Sequence, residues 1–529
     1  MLDLTPPNLL NQTSLPFRDA RGCKEWLATL PLTDVTRAHN ALGEVIDSLN
    51  LTELPGFERL KIMELLRDKV AFLQESLVDL FAGKPLPLSN RALDAWESVA
   101  TLWQAMELGY RYCLRVAANN DAETAKHFPL IIERSLRYTG LQVLYHGLVY
   151  RDAPERLLRD LHALFNFAEK RGVAHVNVKD SLDGHRGITT PAQIYVRALL
   201  VAASHWSTLT TNELAAADML LKKWASKVII SRIPPEGAPA VFRCTDLAKP
   251  VGLWAPTGRP AEGGTLIFLD LKELADSLRR RIRKLSAGAS WSELNLPPIF
   301  AQVPVTSLLN HLYQAWCETM PAEARLQPVR EDCEVASGSF DIFYHCLAGK
   351  PFEPPRHTED VGGLEAQQLA VFGRVTGKVS LETSKEPIPS EAWKLEGVSS
   401  TEVALRRASN SKISLSLQQL IAYRKPGQSN YAFGVIRGLK DHGAEGLVAE
   451  VLSFADRPEP VTFRSKDAAF TPAVKMKSVE GANVSLLLPL GVYQHGKVLE
   501  VRAEVIHMYR LTGLTRHGAN FDWVSCEPL

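Results

Sequence analysis

The sequence predicts an α+β protein with an N-terminal helical array, a mixed α/β middle segment and two C-terminal β modules. In the first part of the chain, apolar residues recur at intervals of three and four, which is the period of an amphipathic helix. From Trp393 onward, apolar and polar residues alternate in short runs separated by Gly, Asn, Pro or Asp, which is typical of small barrels. A chain of 529 residues is too long to fold around a single hydrophobic core, so several domains are expected.

Residues 1–227 are predicted to form the helical array. Its clearest helix runs from Phe57 to Phe81, and Gly83 and Pro85 end it. The apolar face of this helix consists of Met63, Leu66, Val70, Leu73, Leu77 and Leu80. Further helices are predicted at Leu93–Ala118, Ala122–Arg137, Glu155–Lys170, Ala192–Ala203 and Thr211–Lys227. Their lengths differ and follow no fixed period, so we expect an irregular array rather than a regular repeat.

Residues 228–365 are predicted to form the mixed α/β segment. Strand-like runs occur at Val228–Ser231, Ala240–Cys244 and Thr265–Leu269, and helices are predicted at Leu271–Leu285 and Val305–Met320. A stretch rich in proline and charge, Pro351–Asp360, indicates a linker or an ordered loop near the end of this segment.

Residues 366–458 contain the first β module, and residues 459–529 contain the second. The strands of the first module are predicted from EGVSSTEVAL, ISLSLQQLIAYR, YAFGVIRGLK and EGLVAEVLSF. In the second module, VSLLLP, GVYQHGKVLEVRAEVIHMYRLTGLTR and FDWVSCE predict another small barrel or a sheet packed on the first.

Bulk composition narrows the class of function. The 60 Lys and Arg residues balance 59 Asp and Glu residues, whereas proteins that bind nucleic acid polymers usually carry a basic excess. The sequence contains no apolar run long enough for a transmembrane segment, and its start lacks the pattern of a signal peptide. Seven scattered cysteines form no CxxC pair, so we expect free thiols in a reducing cytoplasm and no metal site.

Two short segments near the first β module carry the candidate site. FGRVTGK contains Arg374 and Lys378, and GVSSTE at 397–402 contains Ser399 in a predicted turn. A basic turn followed by a serine-bearing turn and a compact barrel resembles the PilZ domain, the bacterial receptor module for cyclic di-GMP. The family pattern is RxxxR and then [D/N]xSxxG, in which rigid guanidinium groups bind a phosphate and a guanine edge.

The resemblance implies that Arg374, Lys378 and Ser399 bind cyclic di-GMP. Three positions depart from the family pattern. Lys378 stands in place of the second arginine and offers a point charge without the planar fork. Gly397 replaces the Asp or Asn and removes a hydrogen-bonding side chain, and Glu402 replaces the last glycine and brings a negative charge towards a dianionic ligand.

The wider chain also resembles long bacterial proteins that end in PilZ-like domains, in the segments FYHCLAGKPF, AQQLAVFGRV and EVLSFADRPEPVTFR. This resemblance implies a non-enzymatic receptor or signalling adaptor in the bacterial cytoplasm. It also implies an action on surface behaviour, such as adhesion or type IV pilus function, and a protein partner bound through the helical array. No cofactor and no catalytic residue are expected, since the sequence lacks GxSxG, GxxxxGK[ST], HExxH and the Rossmann glycine pattern. Two alternatives stay open: a ligand-free scaffold for protein interactions, and a hydrolase with a site in the middle segment around His185 or His345.

Other notable residues are interpreted as structural. The basic run 278–285 points around much of a predicted helix and indicates a solvated surface. Trp96 and Trp103 share one helix face and are interpreted as core residues rather than a stacking platform. His345 lies in an apolar context and is likewise interpreted as a core residue.

Overall fold

The computed structural model describes residues 15–119, 121–182, 187–234, 242–256, 264–318, 326–353, 389–408, 411, 413–425, 427–465, 468–477, 484–503 and 505–529. The chain divides into two compact units, residues 1–322 and 323–529. The first unit is mainly helical, and the second consists mainly of strands that form barrels. The predicted α+β class is therefore confirmed.

Several helices of the first unit begin at side-chain caps. Asp19, Asp34 and Ser89 each accept a hydrogen bond from a backbone N–H of the following turn, and Thr210 and Glu213 form a capping box. The elements are α1 Ala20–Leu27, α2 Val35–Leu51, α3 Gly56–Leu77, α4 Asn90–Ala118, α5 Ala122–Ala125, α6 Phe128–Gly147, α7 Glu155–Lys170, β1 Val178–Lys179, β2 Ile188–Thr189, α8 Pro191–Ala202 and α9 Thr211–Trp224. Among the described residues, no helix is long and apolar enough to cross a membrane.

The segment after α9 continues the core of the first unit. It comprises β3 Ile229–Ser231, β4 Phe242–Asp246, β5 Leu266–Asp270, α10 Lys272–Ser286 and α11 Val305–Cys317. The strands form an antiparallel sheet in the order β3-β5-β4, and Leu269 and Leu274 are buried in the same cluster as the helices. Buried residues on both sides of the predicted boundary between residues 227 and 228 thus belong to one hydrophobic cluster.

A network of buried charges joins α3, α6 and the end of β1. It consists of three arginines and three carboxylates, namely Arg67, Arg134, Arg137, Glu64, Glu133 and Asp180. An Asp180 carboxylate oxygen lies 2.6 Å from Nη2 of Arg67, and the other lies 2.5 Å from Nη2 of Arg137. Arg134 contacts Glu64 at 3.0 Å and Glu133 at 2.5 Å. Opposite charges therefore balance inside the helical array.

The second unit contains two closed antiparallel barrels of six strands each. The first has the order β10-β11-β8-β7-β6-β9, and the second has the order β12-β13-β14-β17-β16-β15. The elements are β6 Gln327–Ser337, α12 Phe340–Ala348, β7 Glu391–Val398, β8 Glu402–Arg407, β9 Leu420–Arg424, β10 Ala432–Asp441, β11 Leu447–Ser453, β12 Arg457–Arg464, β13 Thr471–Lys477, β14 Val484–Leu488, β15 Val498–Arg502, β16 Ile506–His517 and β17 Asp522–Pro528. Both predicted β modules are therefore barrels, and a core shared by them includes Phe343 of α12.

Strand β6 corrects the predicted start of the first barrel. It lies inside the predicted middle segment 228–365, yet it pairs with β7 on one side and β9 on the other. The first barrel is therefore not confined to residues 366–458. A long stretch of chain separates β6 from β7, and pairing between strands so distant leaves no local pattern in the sequence.

Three predicted core residues are confirmed as such. Trp96 and Trp103 are buried in the helical array, and the indole N–H of Trp96 donates to the carbonyl oxygen of Tyr145 at 3.1 Å. His345 is buried on α12. The rings therefore stabilise the fold, and none of the three forms an open binding surface.

The basic run on α10 is less solvated than predicted. The Arg281 guanidinium lies 4.4 Å from the ring centre of Trp224, and that of Arg279 lies 5.0 Å from the ring centre of Tyr313. Leu278 is buried. Two arginines of the run thus cover aromatic side chains by cation–π contact, while keeping their charge near the surface.

Candidate functional site

The turn between β7 and β8 holds Ser399. The backbone N–H of Ser399 donates to the carbonyl oxygen of Glu402 at 2.8 Å, and its Oγ accepts from the N–H of Glu402 at 3.0 Å. The backbone N–H of Ser453, at the end of β11, donates to the carbonyl oxygen of Thr401 at 2.8 Å. Among the described residues, the hydroxyl proton has only a long contact of 3.4 Å, to the Glu402 carbonyl oxygen. Ser399 therefore shapes the turn and keeps a donor that an incoming acceptor can use.

Glu402 forms an ion pair across the barrel surface. Its partner is Arg437 on β10, which reaches over β11 to the carboxylate on β8. Arg406 instead pairs with Glu396 at 2.5 Å, and the buried Arg407 donates to the carbonyl oxygen of Ile413. The negative charge beside the turn is thus balanced by Arg437, whose side chain is 52% exposed.

A second arginine lies close to Arg437 and comes from the other barrel. Arg516 lies at the C-terminal end of β16, next to a bulge. The loop that follows β16 contacts the first barrel, where the N–H of Ala519 donates to the carbonyl oxygen of Gln418 at 2.8 Å. Burial, together with the nearby charge of Arg437, lowers the pKa of Arg516. Within the described part of the chain, the Arg516 guanidinium has no hydrogen-bond or ion-pair partner, so the two arginines form a positively charged surface near the turn.

Gly397, at the Asp or Asn position of the family pattern, is buried. A Cβ built on it would lie 3.1 Å from Cβ of Leu326 and 3.5 Å from Cβ of Ala404. An asparagine introduced there would point between these apolar side chains rather than towards a ligand on the surface. A Gly397→Asn substitution is therefore not expected to add a ligand contact.

The other predicted site residues have different outcomes. Arg374 and Lys378 lie outside the described residues, as does His185. His345, the other residue of the hydrolase alternative, is buried on α12. The structure thus brings together Ser399, which the motif predicted, and two arginines that sequence reasoning missed.

Of the two arginines that sequence reasoning missed, Arg437 has a weak signal in the sequence and Arg516 has none. Arg437 interrupts an apolar alternation in FGVIRGLK, which indicates an outward-facing strand position, but such positions are common. Arg516 lies in a different barrel, and only the docking of the loop after β16 brings it near the turn. No local pattern could have connected it with Ser399.

Comparison with known proteins finds similarity to one receptor. Residues 21–236 match the family model of the N-terminal domain of the cyclic-di-GMP receptor FimW. The cyclic-di-GMP receptor FimW of Pseudomonas aeruginosa is 25% identical to this chain over 382 residues, which is 68% of the chain and 61% of that relative. The chain thus aligns with about three fifths of the relative's length.

The family match lies entirely within the first unit, so it does not test the PilZ resemblance of the first barrel. No solved structure matches the chain. The comparisons therefore establish similarity to a receptor for cyclic di-GMP, and they do not locate a ligand site in this chain.

Proposed function

We propose that this protein is a non-enzymatic receptor for cyclic di-GMP and that the ligand binds the first barrel beside the β7–β8 turn. The similarity to the receptor FimW, which extends over 68% of the chain, is the observation that carries the proposal. The closed barrel and the serine-bearing turn support the proposed location. In this arrangement Arg374, Lys378 and Ser399 are the ligand-binding residues, as the PilZ pattern implies.

The charges around the turn suit a ligand with two phosphates. Arg437 pairs with Glu402 of the turn, Arg516 adds a further positive charge near Arg437, and phosphate oxygens are strong acceptors for guanidinium donors. Arg437 is 52% exposed and therefore accessible to a ligand on the surface. We include both arginines in the proposed site as partners for phosphate, in addition to the residues of the motif.

The proposed receptor acts by coupling rather than by catalysis. A bound dinucleotide would connect the segment bearing Arg374 and Lys378 with the barrel surface bearing Ser399, and so alter how the helical array meets a protein partner. Such coupling requires the two arrangements to differ in affinity for the ligand. The proposal extends to a cytoplasmic setting and to surface behaviour such as adhesion or type IV pilus function, which rest on the PilZ resemblance alone.

A ligand-free scaffold is the second candidate function, and one observation favours it. The Glu402 carboxylate already neutralises Arg437, so a ligand must compete with an existing ion pair. The two candidates differ in one measurable property, which is affinity for cyclic di-GMP.

We expect cyclic di-GMP titrated into the full-length protein to give saturable heat in a calorimeter, and Arg374→Ala to weaken binding by about 1–3 kcal/mol. The loss corresponds to a charge-assisted hydrogen bond left unmade. Arg502→Ala is the matched control. Arg502 is an exposed arginine on β15 of the second barrel, where its backbone pairs with Ile506 at the start of β16, away from the proposed site. Equal affinity of parent and Arg374→Ala would remove Arg374 from the site. No binding by a folded parent would favour the scaffold.

Glu402→Gln should strengthen binding of cyclic di-GMP by about 1 kcal/mol, or roughly fivefold. The change removes a negative charge beside the ligand phosphates and releases Arg437 to contact them. The gain should shrink at high salt, because water and ions screen exposed charges. Glu459→Gln, which breaks a surface pair with Lys477 on the second barrel, is the control and should have no effect. Weaker binding by a correctly folded Glu402→Gln would instead show that the ion pair holds the turn in its binding shape.

A further inference from the structure

A cavity of about 330 Å³ lies within the first unit, between the C-terminal end of α8 and the loop after β4. This volume is at the low end of the roughly 300–1,000 Å³ typical of ligand pockets. The wall includes Arg243, His205, Trp206, Trp316, Gly252 and Leu253. The cavity therefore combines a cation with aromatic and apolar surface, and none of its residues belongs to the barrel site.

Arg243 lies in the wall of this cavity and is only 5% exposed. Its Nη2 donates to the carbonyl oxygen of Glu318 at 2.6 Å, and Nη1 donates to that of Phe242 at 3.2 Å. Among the described residues, no carboxylate lies within ion-pair distance of its guanidinium. Burial lowers the pKa of Arg243, as expected for a cation removed from water without an opposite charge.

Other buried arginines of the protein find compensation within the fold. Arg197 forms a two-point ion pair with Asp218 at 2.6 and 2.7 Å. Arg59 and Arg407 also bond to backbone carbonyls, but each lies over an aromatic ring, at 4.7 and 5.6 Å from its centre. Neither lines the cavity. Arg243 differs because the space beside it is open, so an anion from solution can supply the missing charge.

The other walls of the cavity include two tryptophan rings. Trp316 is buried, and its indole N–H already donates to the carbonyl oxygen of Leu200 at 2.9 Å, so the ring offers only apolar surface. Trp206 lines the same cavity, and indole rings favour contact with flat aromatic groups. The preceding residue, His205, has a φ of 52°, in a region that non-glycine residues rarely adopt and that is often found at binding sites.

We infer that this cavity binds a small aromatic carboxylate, with the carboxylate on Arg243 and the ring against Trp206 and Trp316. A planar carboxylate can accept two parallel hydrogen bonds from a guanidinium. The exposed Asp152 at the cavity repels a doubly charged phosphate more strongly than a carboxylate with a single charge. A cyclic dinucleotide, with two purines and two phosphates, is too large for this volume, so the site is separate from the proposed receptor function.

Benzoate titrated into the full-length protein tests this inference, with tryptophan fluorescence and thermal unfolding as readouts. We expect saturable binding of benzoate and none of benzyl alcohol or inorganic phosphate at the same concentrations. Arg243→Met should lower the affinity at least about tenfold, the loss expected for a hydrogen bond between charged groups. Saturable binding of benzyl alcohol equal to that of benzoate would overturn the role of Arg243.

Gly252→Leu is a second variant that does not depend on removing a buried charge. A Cβ at Gly252 meets no atom within 4 Å, so a leucine there fills part of the cavity without strain on the backbone. This variant should lose benzoate binding and keep the thermal stability of the unliganded parent. It should also keep its affinity for cyclic di-GMP, which separates this inference from the proposed function. Unchanged benzoate binding in both variants, or no saturable binding by the parent, would contradict the inference.

Discussion

Asp180→Asn should lower the free energy of unfolding of the first unit by about 3–5 kcal/mol. The change leaves Arg67, Arg134 and Arg137 buried beside two carboxylates instead of three, and an uncompensated buried charge is strongly destabilising. The Asp180 side chain is fully buried, so water cannot replace the lost charge. Urea unfolding, followed by the helical circular dichroism signal, measures the effect.

Asp68→Asn is the matched control for this prediction. Asp68 lies on α3 next to Arg67, but it is exposed, and it accepts a hydrogen bond from Ser181 at 3.3 Å. It should change the free energy of unfolding by no more than about 0.5 kcal/mol. Equal effects of the two substitutions would mean that the buried network contributes no specific stability.

The same network predicts a dependence on pH. Burial alone would raise the pKa of Asp180, but the charges of Arg137, Arg67 and Arg134 outweigh it and hold the pKa at about 2. In the unfolded chain the pKa is about 3.9. The stabilising contribution of Asp180 is therefore complete above the unfolded value and is lost as the pH falls towards 2. The difference in stability between parent and Asp180→Asn should narrow over the same range.

A fragment that begins at Glu323 should fold, whereas a fragment that begins at Glu359 should not. The second fragment corresponds to the Pro-rich boundary suggested by the sequence, and it lacks β6 and α12. Without β6 the first barrel is open, and β7 and β9 become unpaired edges that favour aggregation. Loss of α12 also removes Phe343, whose ring centre lies 5.5 Å from that of Phe433 in the shared core.

Thermal unfolding and size-exclusion chromatography distinguish the two fragments. The fragment 323–529 should be monodisperse or form a defined oligomer and unfold in a cooperative transition. The fragment 359–529 should be aggregated or lack such a transition. A soluble 359–529 fragment with the same transition temperature as 323–529 would show that β6 is dispensable for the barrel.

Local features of the fold could be predicted from the sequence because their causes are local. The periodicity of Phe57–Phe81 predicted α3, since side chains three and four residues apart share one helix face. Alternation in the segment 391–453 likewise predicted the strands β7 to β11. The predicted boundaries at 228 and 366 differ from the division of the structure at residues 322 and 323, because β5, α10 and β6 take their places through contacts with residues far away in the chain.

In the candidate site, too, features with local causes could be predicted and features that depend on distant contacts could not. Ser399 was predicted from its turn, and hydrogen bonds within four residues are enough to fix that turn. The partner of Glu402 was not predicted, because Arg437 approaches it across an intervening strand. Arg516 requires the assembly of two barrels. Arg243 has no signal in the sequence. Neither its burial nor the absence of a carboxylate partner among the described residues can be read from the sequence.

The proposed function depends above all on where cyclic di-GMP binds, because the family match lies in the helical unit and the proposed site lies in the first barrel. Calorimetric titration of cyclic di-GMP into the separate fragments 1–322 and 323–529 locates the binding site, once circular dichroism shows that both fragments are folded. We expect 323–529 to bind with the affinity of the full-length protein and 1–322 to give no heat of binding. Saturable binding by 1–322, with none by a folded 323–529, would contradict the proposed location.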